Sequence, residues 1–155
     1  MDINWNIPKT AGELLLVPLA ALTKIGDSLS AATSNKIQYQ ITRFKKNEVL
    51  ISHQFYIFVP SLQDFKLLAI ETHSPITGYP VKVYDFLNGK NNTISVSVGR
   101  GDFSHATTPD ELMSILKSIV ETPQSGLVIG SLLSEISAQS SLNSDAFGNM
   151  RAKRT

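Results

Sequence analysis

Cysteine is absent from the chain, which excludes a disulfide framework, thiolate metal sites and thiol catalysis and fits a reducing, cytoplasmic setting. Net charge is nearly absent too. Fourteen Lys and Arg stand against thirteen Asp and Glu, interspersed along the sequence, so there is no broad electrostatic footprint for nucleic acid or an anionic membrane. Long hydrophobic runs are missing. The longest, residues 14–22, covers about nine positions and contains Pro18, whereas a membrane-crossing helix needs roughly 20. No integral membrane segment is expected. The opening residues Met1-Asp2-Ile3-Asn4-Trp5-Asn6 lack the basic region of a secretory signal.

Motifs that bind cofactors or activate nucleophiles are also lacking. Gly99-Arg100-Gly101-Asp102 has neither the lysine nor the hydroxyl of a phosphate-binding loop and does not fit the dinucleotide fingerprint. There is no Gly-x-Ser-x-Gly elbow. Asp102 and His105 lie three apart, but two potential ligands do not make a metal site, and His73 has no evident companion. Neither a cofactor nor a metal is expected. Asn91-Asn92-Thr93 is a glycosylation sequon by pattern only.

What is present is strong strand patterning. Ile37, Tyr39 and Ile41 alternate with Gln38, Gln40 and Thr42. Beyond a polar turn at Lys45-Lys46-Asn47, residues Val49, Ile51, His53, Phe55, Ile57 and Val59 alternate in the same way. Period-two alternation implies a sheet with one face turned to a core. A three-residue turn pairs Ile41 with Ile51, Tyr39 with His53 and Ile37 with Phe55; slipping by one residue would put every apolar side chain on the wrong face. A five-residue loop at Pro60–Asp64 pairs Val59 with Phe65, Ile57 with Leu67, Phe55 with Ala69 and His53 with Glu71. After a loop from His73 to Tyr79, Val81, Val83 and Leu87 continue the apolar face, interrupted by Asp85. Asn88-Gly89-Lys90-Asn91 marks a further turn, and Ile94, Val96 and Val98 complete the set. The strands are expected at about 36–44, 48–59, 65–72, 80–87 and 93–99.

Helices flank this block. Thr10-Ala11-Gly12-Glu13 matches a capping box. The apolar residues after it, with Ile25 and Leu29, predict a helix that Pro18 kinks or restarts and that frays near Ser34-Asn35. Thr108-Pro109-Asp110-Glu111 carries a hydroxyl cap, proline at the first helical position and acids in the first turn; Leu112, Ile115, Leu116 and Ile119 follow at helical spacing, and Thr122-Pro123 ends that helix. A last helix is expected over about 124–139, with Ile129, Leu132, Leu133 and Ile136 as its apolar stripe. Its small residues Gly126, Gly130, Ser134 and Ala138 are expected to pack closely on the sheet or a neighbouring helix. Residues 140–155 read as a disordered polar tail. The whole is one α+β domain, residues 1–139: an N-terminal helix, a five-stranded antiparallel meander and two C-terminal helices, a standard two-layer solution.

These registers generate two functional expectations. One sheet face carries Leu50, Tyr56, Phe58, Leu68, Ile70, Tyr84 and Phe86, with Tyr56, Leu68 and Tyr84 side by side. If no helix covers it, such an aromatic patch marks a binding surface. The leading reading is therefore a non-catalytic protein-interaction module (an adaptor, chaperone-like protein, inhibitor or immunity-type protein) whose partner is another protein or a second copy, as in a homodimer. Tyr56, Phe58, Leu68, Tyr84 and Phe86 would form the interface. On the other face the registers align Tyr39, His53 and Glu71 in one row. A histidine between a phenol and a carboxylate suits acid–base work, so the alternative is a small-ligand-binding or hydrolytic domain. Its pocket would lie between the sheet and the first helix, with His53 as base and Glu71 orienting it.

Overall fold

The structure, a computed structural model, describes the backbone of residues 17–88 and 103–152 and the side chains of these residues up to 142. Helix α1 (Pro18–Ala32) leads into strands β1 (Gln38–Lys45), β2 (Leu50–Val59), β3 (Phe65–Pro75), β4 (Val81–Asp85) and β5 (Phe103–Ala106), followed by helices α2 (Pro109–Val120) and α3 (Pro123–Ala152). The sheet runs β1-β2-β3-β4-β5 with every pair antiparallel. This is the expected α+β meander, with one helix before it and two after among the described residues. The fifth strand is Phe103–Ala106. The capping box at 10–13, the strand expected at 93–99, Gly89–Asn91 of the turn, and Gly99–Asp102 lie outside the described residues.

Proline starts α1 rather than kinking it, since Pro18 occupies the first helical turn, where its missing N–H costs nothing. The helix ends where expected: Thr33 caps it, and Ser34 and Asn35 then take left-handed backbone conformations. The signal at 108–111 also forms as expected. Thr108 Oγ1 accepts from Glu111 N at 3.2 Å, and the Glu111 carboxylate reaches back to Thr107 N at 2.9 Å.

Two registers differ from the pattern-based expectation. In the first hairpin Tyr39 lies opposite Ile57, Ile41 opposite Phe55 and Arg43 opposite His53. The turn sits two residues later than expected because Asn47 organises it: its Oδ1 accepts from both Val49 N (2.8 Å) and Leu50 N (2.9 Å), while Lys46 N bonds Leu50 O at 2.9 Å. Asparagine side chains mimic a backbone turn in this way. The displacement along β2 is an even number of residues, so every side chain keeps its face, and hydrophobic pattern alone could not detect it.

In the second hairpin, Val59–Phe65, Ile57–Leu67 and Tyr56–Leu68 pair as expected. A β-bulge between Phe55 and Tyr56 then shifts the pairing by one residue, so that Phe55 faces Ile70, Gln54 faces Glu71 and His53 faces Thr72. An extra residue on one strand reverses the face of all that follows it. Ile70 moves into the core, fully buried, and Glu71 moves out of it. β3 also continues through His73 and Ser74, which were expected in a loop.

One core forms on one sheet face. It joins Ala21, Leu22 and Ile25 of α1, Leu112, Leu116 and Ile119 of α2 and Leu132 and Ile136 of α3 to Phe55, Ile57, Val59, Ile70, Val81 and Val83 of the sheet. Each fully buried leucine among these contributes about 1.5–3 kcal/mol relative to exposure. The closest approach is at Gly26, which sits on the ring of Tyr39; a Cβ at this position would collide with the ring carbons. Tyr39 in turn stacks on Phe55 with centroids 5.6 Å apart and donates its hydroxyl to Asp27 Oδ1 at 2.6 Å. That bond to a carboxylate, with burial, pushes the phenol up to about 12.

At the far end, Asp85 closes β4 by accepting from Leu87 N and Asn88 N, and Asn88 Nδ2 donates to Ile119 O at 2.9 Å. Thr122 donates to Asn88 Oδ1 at 2.6 Å and accepts from Ser125 N. This cluster fastens the α2–α3 joint to the sheet. Helix α3 then extends past residue 139 to Ala152, a nucleated helix gaining one hydrogen bond for each residue added; residues 140–152, expected in a disordered tail, are helical, and 153–155 lie outside the described residues. Its apolar stripe faces the core, but Gly126 and Gly130 meet nothing within 4 Å and Ser134 and Ala138 are exposed. The small-residue stripe points outward instead of packing closely, because the apolar stripe takes the buried side of the helix.

The two glycine environments give opposite expectations. Gly26→Ala should destabilise by about 1–3 kcal/mol through overpacking against Tyr39, outweighing the ~1 kcal/mol helix preference for alanine. Gly130→Ala, in open space, should stabilise by up to about 1 kcal/mol. Urea unfolding of both variants checks this; equal shifts of one sign would mean that α1 does not seat on Tyr39.

Candidate functional site

The bulge builds a polar chain on the sheet face that the helices do not share. Glu71, carried outward, accepts from Gln54 Nε2 at 3.0 Å and Ser52 Oγ at 3.3 Å. Gln54 Oε1 in turn accepts from Tyr56 OH (2.9 Å) and Thr42 Oγ1 (3.2 Å). The second Glu71 oxygen lies 3.5 Å from His73 Nε2, and His73 Nδ1 lies 3.2 Å from Lys46 Nζ. An ammonium can only donate, so Nδ1 accepts and Nε2 carries the proton toward Glu71. His73 is 6% exposed. Burial first, then the Lys46 charge, lower its pKa, against an opposing pull from Glu71. The imidazole is thus held neutral with both nitrogens engaged.

Aromatic rings continue this band across β4 and β5. His73 and Tyr84 have centroids 4.8 Å apart, Tyr84 and Phe103 5.6 Å, and Phe103 and His105 4.9 Å. Lys82 lies over the Phe103 ring at 5.0 Å and Lys66 over the Tyr56 ring at 5.6 Å, within the reach of cation–π attraction. Of the residues assigned to a partner surface, Tyr56 and Leu68 are cross-strand neighbours as expected, and Phe58 faces Lys66. Tyr56, Phe58, Leu68 and Phe86 are half-buried. Tyr84 departs from the expected trio: it pairs with Glu71 rather than standing beside Leu68, and its 7% exposure reflects the His73 and Phe103 rings against it. Ile70 leaves this face for the core.

The Tyr39–His53–Glu71 row does not form. Tyr39 lies opposite Ile57 and bonds Asp27, Glu71 is on the other face, and His53 stands between Arg43 and Thr72. His53 is 5% exposed, and neither its Nδ1 nor Thr72 Oγ1 has a hydrogen-bond partner among the described residues. Burial, and secondarily Arg43, lower its pKa. The cavity between the sheet and α1, about 190 Å³, is lined by Ile25, Leu29, Phe55, Ile57, Ile70 and Ile129 among others and contains none of Tyr39, His53 and Glu71. His73 is the residue that sequence reasoning missed. Its carboxylate companion is two positions away on its own strand, a same-face spacing that the expected loop at 73–79 concealed.

Among the described residues no three His, Asp or Glu converge as a metal site, and no helix is long and apolar enough to cross a membrane. No family model, curated protein or solved structure matches the chain.

Both buried histidines make stability depend on pH. Their folded-state pKa values lie below the unfolded value near 6.5, so the unfolded chain binds more protons in the interval between them. Stability is full above about pH 6.5 and falls as pH drops toward the folded values. Urea unfolding between about pH 7.5 and pH 5 should show this decline. His73→Gln, which keeps hydrogen-bonding groups without the titration, should reduce the decline to the His53 share; an unchanged slope would show that His73 is not held neutral in the fold.

Proposed function

We propose that the chain is a non-catalytic protein-interaction module, of adaptor, chaperone-like, inhibitor or immunity type, that binds a protein partner through the sheet face bearing Tyr56, Phe58, Leu68, Tyr84 and Phe86. One observation carries this reading. All three described helices share their core with the opposite face, which leaves this one with a band of rings and lysines and no described helix in its packing. Aromatic residues with a polar surround are the composition of binding hot spots.

The charge of the band favours a particular partner. Lys46, Lys66 and Lys82 contribute cations, and Glu71, the one carboxylate among them in the described residues, is already engaged by Gln54, Ser52 and His73. A partner presenting acidic groups complements this surface. A two-fold dimer through the same face would set the basic patch against itself, so a different protein is favoured over a second copy. Catalysis on this face has weaker support, because a general base needs a free lone pair and both His73 nitrogens are occupied.

Affinity capture from the source cell with the wild-type chain, Tyr56→Ser and Lys66→Glu tests the reading. An acidic partner should be retained by the wild type. Tyr56→Ser should weaken it by about thirtyfold or more, as for a hot-spot aromatic worth at least ~2 kcal/mol, and Lys66→Glu should slow association. Both variants should melt as the wild type does. Equal capture by all three would remove the band from the interface. Loss of folding in Tyr56→Ser would show that the ring is core.

A further inference from the structure

The core that the helices share with the sheet is not completely filled. Protein interiors are close-packed and leave few voids larger than a water molecule, yet a cavity of about 190 Å³ lies between the sheet and helices α1 and α3. Its floor is Phe55, Ile57 and Ile70, at 2%, 2% and 0% exposure. The sequence explains the space. Ile25, Ser28, Leu29 and Ala32 follow one another at i, i+3, i+4 and i+7 along α1, the spacing of the face a helix turns to a core, and all four line the cavity. Two of the four are small. Helix α3 contributes a further small residue, Ser125, and Ile129 one turn later. Large apolar side chains at 28 and 32 would close the space, whereas serine and alanine leave it. Both of these residues are exposed, so the cavity opens to solvent between α1 and α3.

The chemistry of the lining is one-sided. Among the described residues no charged side chain lines the cavity, and its polar side chains are the hydroxyls of Ser28 and Ser125. The Ser125 hydroxyl already donates to Ile119 O at 2.6 Å. A buried water needs about two to four polar partners, and the side chains of the floor offer none, so water gains little there. An ion would be stripped of water with nothing to pair it. The volume sets the size of an occupant. A dry cavity of about 150 Å³ lined by leucine, isoleucine and phenylalanine holds benzene, whereas clefts for drug-sized ligands begin near about 300 Å³.

We propose that this cavity is a binding site for a small uncharged apolar molecule, a single ring of about six to eight carbons, which enters past Ser28 and Ala32 of α1 and Ile129 of α3. The ring rests on Phe55, Ile57 and Ile70 and fills space that neither helix occupies. Affinity comes from the apolar surface that ring and floor remove from water. Selectivity comes from size and from the absence of charge in the lining: a ring with a short alkyl group fits, and the same ring with a carboxylate or an ammonium does not. The site lies on the helix side of the sheet, away from the aromatic band, and takes a small molecule where the band takes a protein.

The test titrates the full chain with toluene, followed by methyl NMR of the isoleucines and by thermal unfolding, with benzoate and benzylammonium as the same ring bearing a charge. Toluene should shift the methyl groups of Ile25, Ile57 and Ile70 saturably, raise Tm as its concentration rises, and bind at least tenfold more tightly than either charged control. Ser28→Leu replaces an exposed side chain with one long enough to enter the cavity. It should keep the fold and weaken toluene at least tenfold, and Ala32→Leu, one turn on, should do the same. No saturable shift of these methyl groups, up to the solubility of toluene, would overturn the proposal. So would benzoate binding as tightly as toluene, or toluene binding unaltered in both leucine variants.

Discussion

Between Phe55 and Tyr56 of β2 the pairing with β3 slips by one residue, and every side chain of β3 beyond that point changes face. Without the slip, Glu71 would enter the core opposite His53 while Ile70 faced outward. Burying a carboxylate with no partner costs several kcal/mol or forces it to protonate, and exposing Ile70 forgoes about 1.5–3 kcal/mol of burial. Both effects favour the slip over a regular ladder, and the local loss of pairing at the bulge is small beside them. The bulge therefore sets the composition of two surfaces at once: an apolar one that receives the helices, and a polar, aromatic one that does not.

The same slip gives two histidines opposite roles. His73 arrives beside Glu71 and within reach of Lys46, so its hydrogen bonds are satisfied within the sheet. His53 remains on the core side beside Thr72, with its Nδ1 unanswered by the described residues. Both are held neutral, chiefly by burial. The satisfied one belongs to the polar band of the helix-free face, while the unsatisfied one is enclosed on the core side.

Helix docking adds a second constraint. The missing side chain of Gly26 lets α1 settle on Tyr39, and Asp27 beside it takes the Tyr39 hydroxyl. Tyr39 is thereby committed to packing and cannot serve a row with His53. At the other end Asn88, Thr122 and Ser125 tie the turn between α2 and α3 to the close of β4. These two fastenings keep the three described helices on one side of the sheet, which is why the band from Tyr56 to Phe103 has no described helix against it.

The order of elements, the α+β class, the cap at Thr108 and the sides taken by Ile37, Phe55, Ile57, Val59, Val81 and Val83 were legible in the sequence, because each follows from local rules of period, capping or turn chemistry. Of the aromatic band, the face taken by Tyr56, Phe58 and Leu68 was legible as well, whereas the placement of Tyr84 and the presence of His73, Phe103 and His105 were not. The pairing of Tyr39 with Ile57 was not, since an even displacement leaves the apolar pattern unchanged. Nor was the placement of Glu71 beside His73, since a bulge is a choice between two ladders made by burial and charge across strands. Period-two alternation determines which face a residue takes only while the ladder is regular. Where a strand gains a residue, the cost of burying Glu71 and the gain from burying Ile70 decide, and both exist only once the strands and helices are assembled.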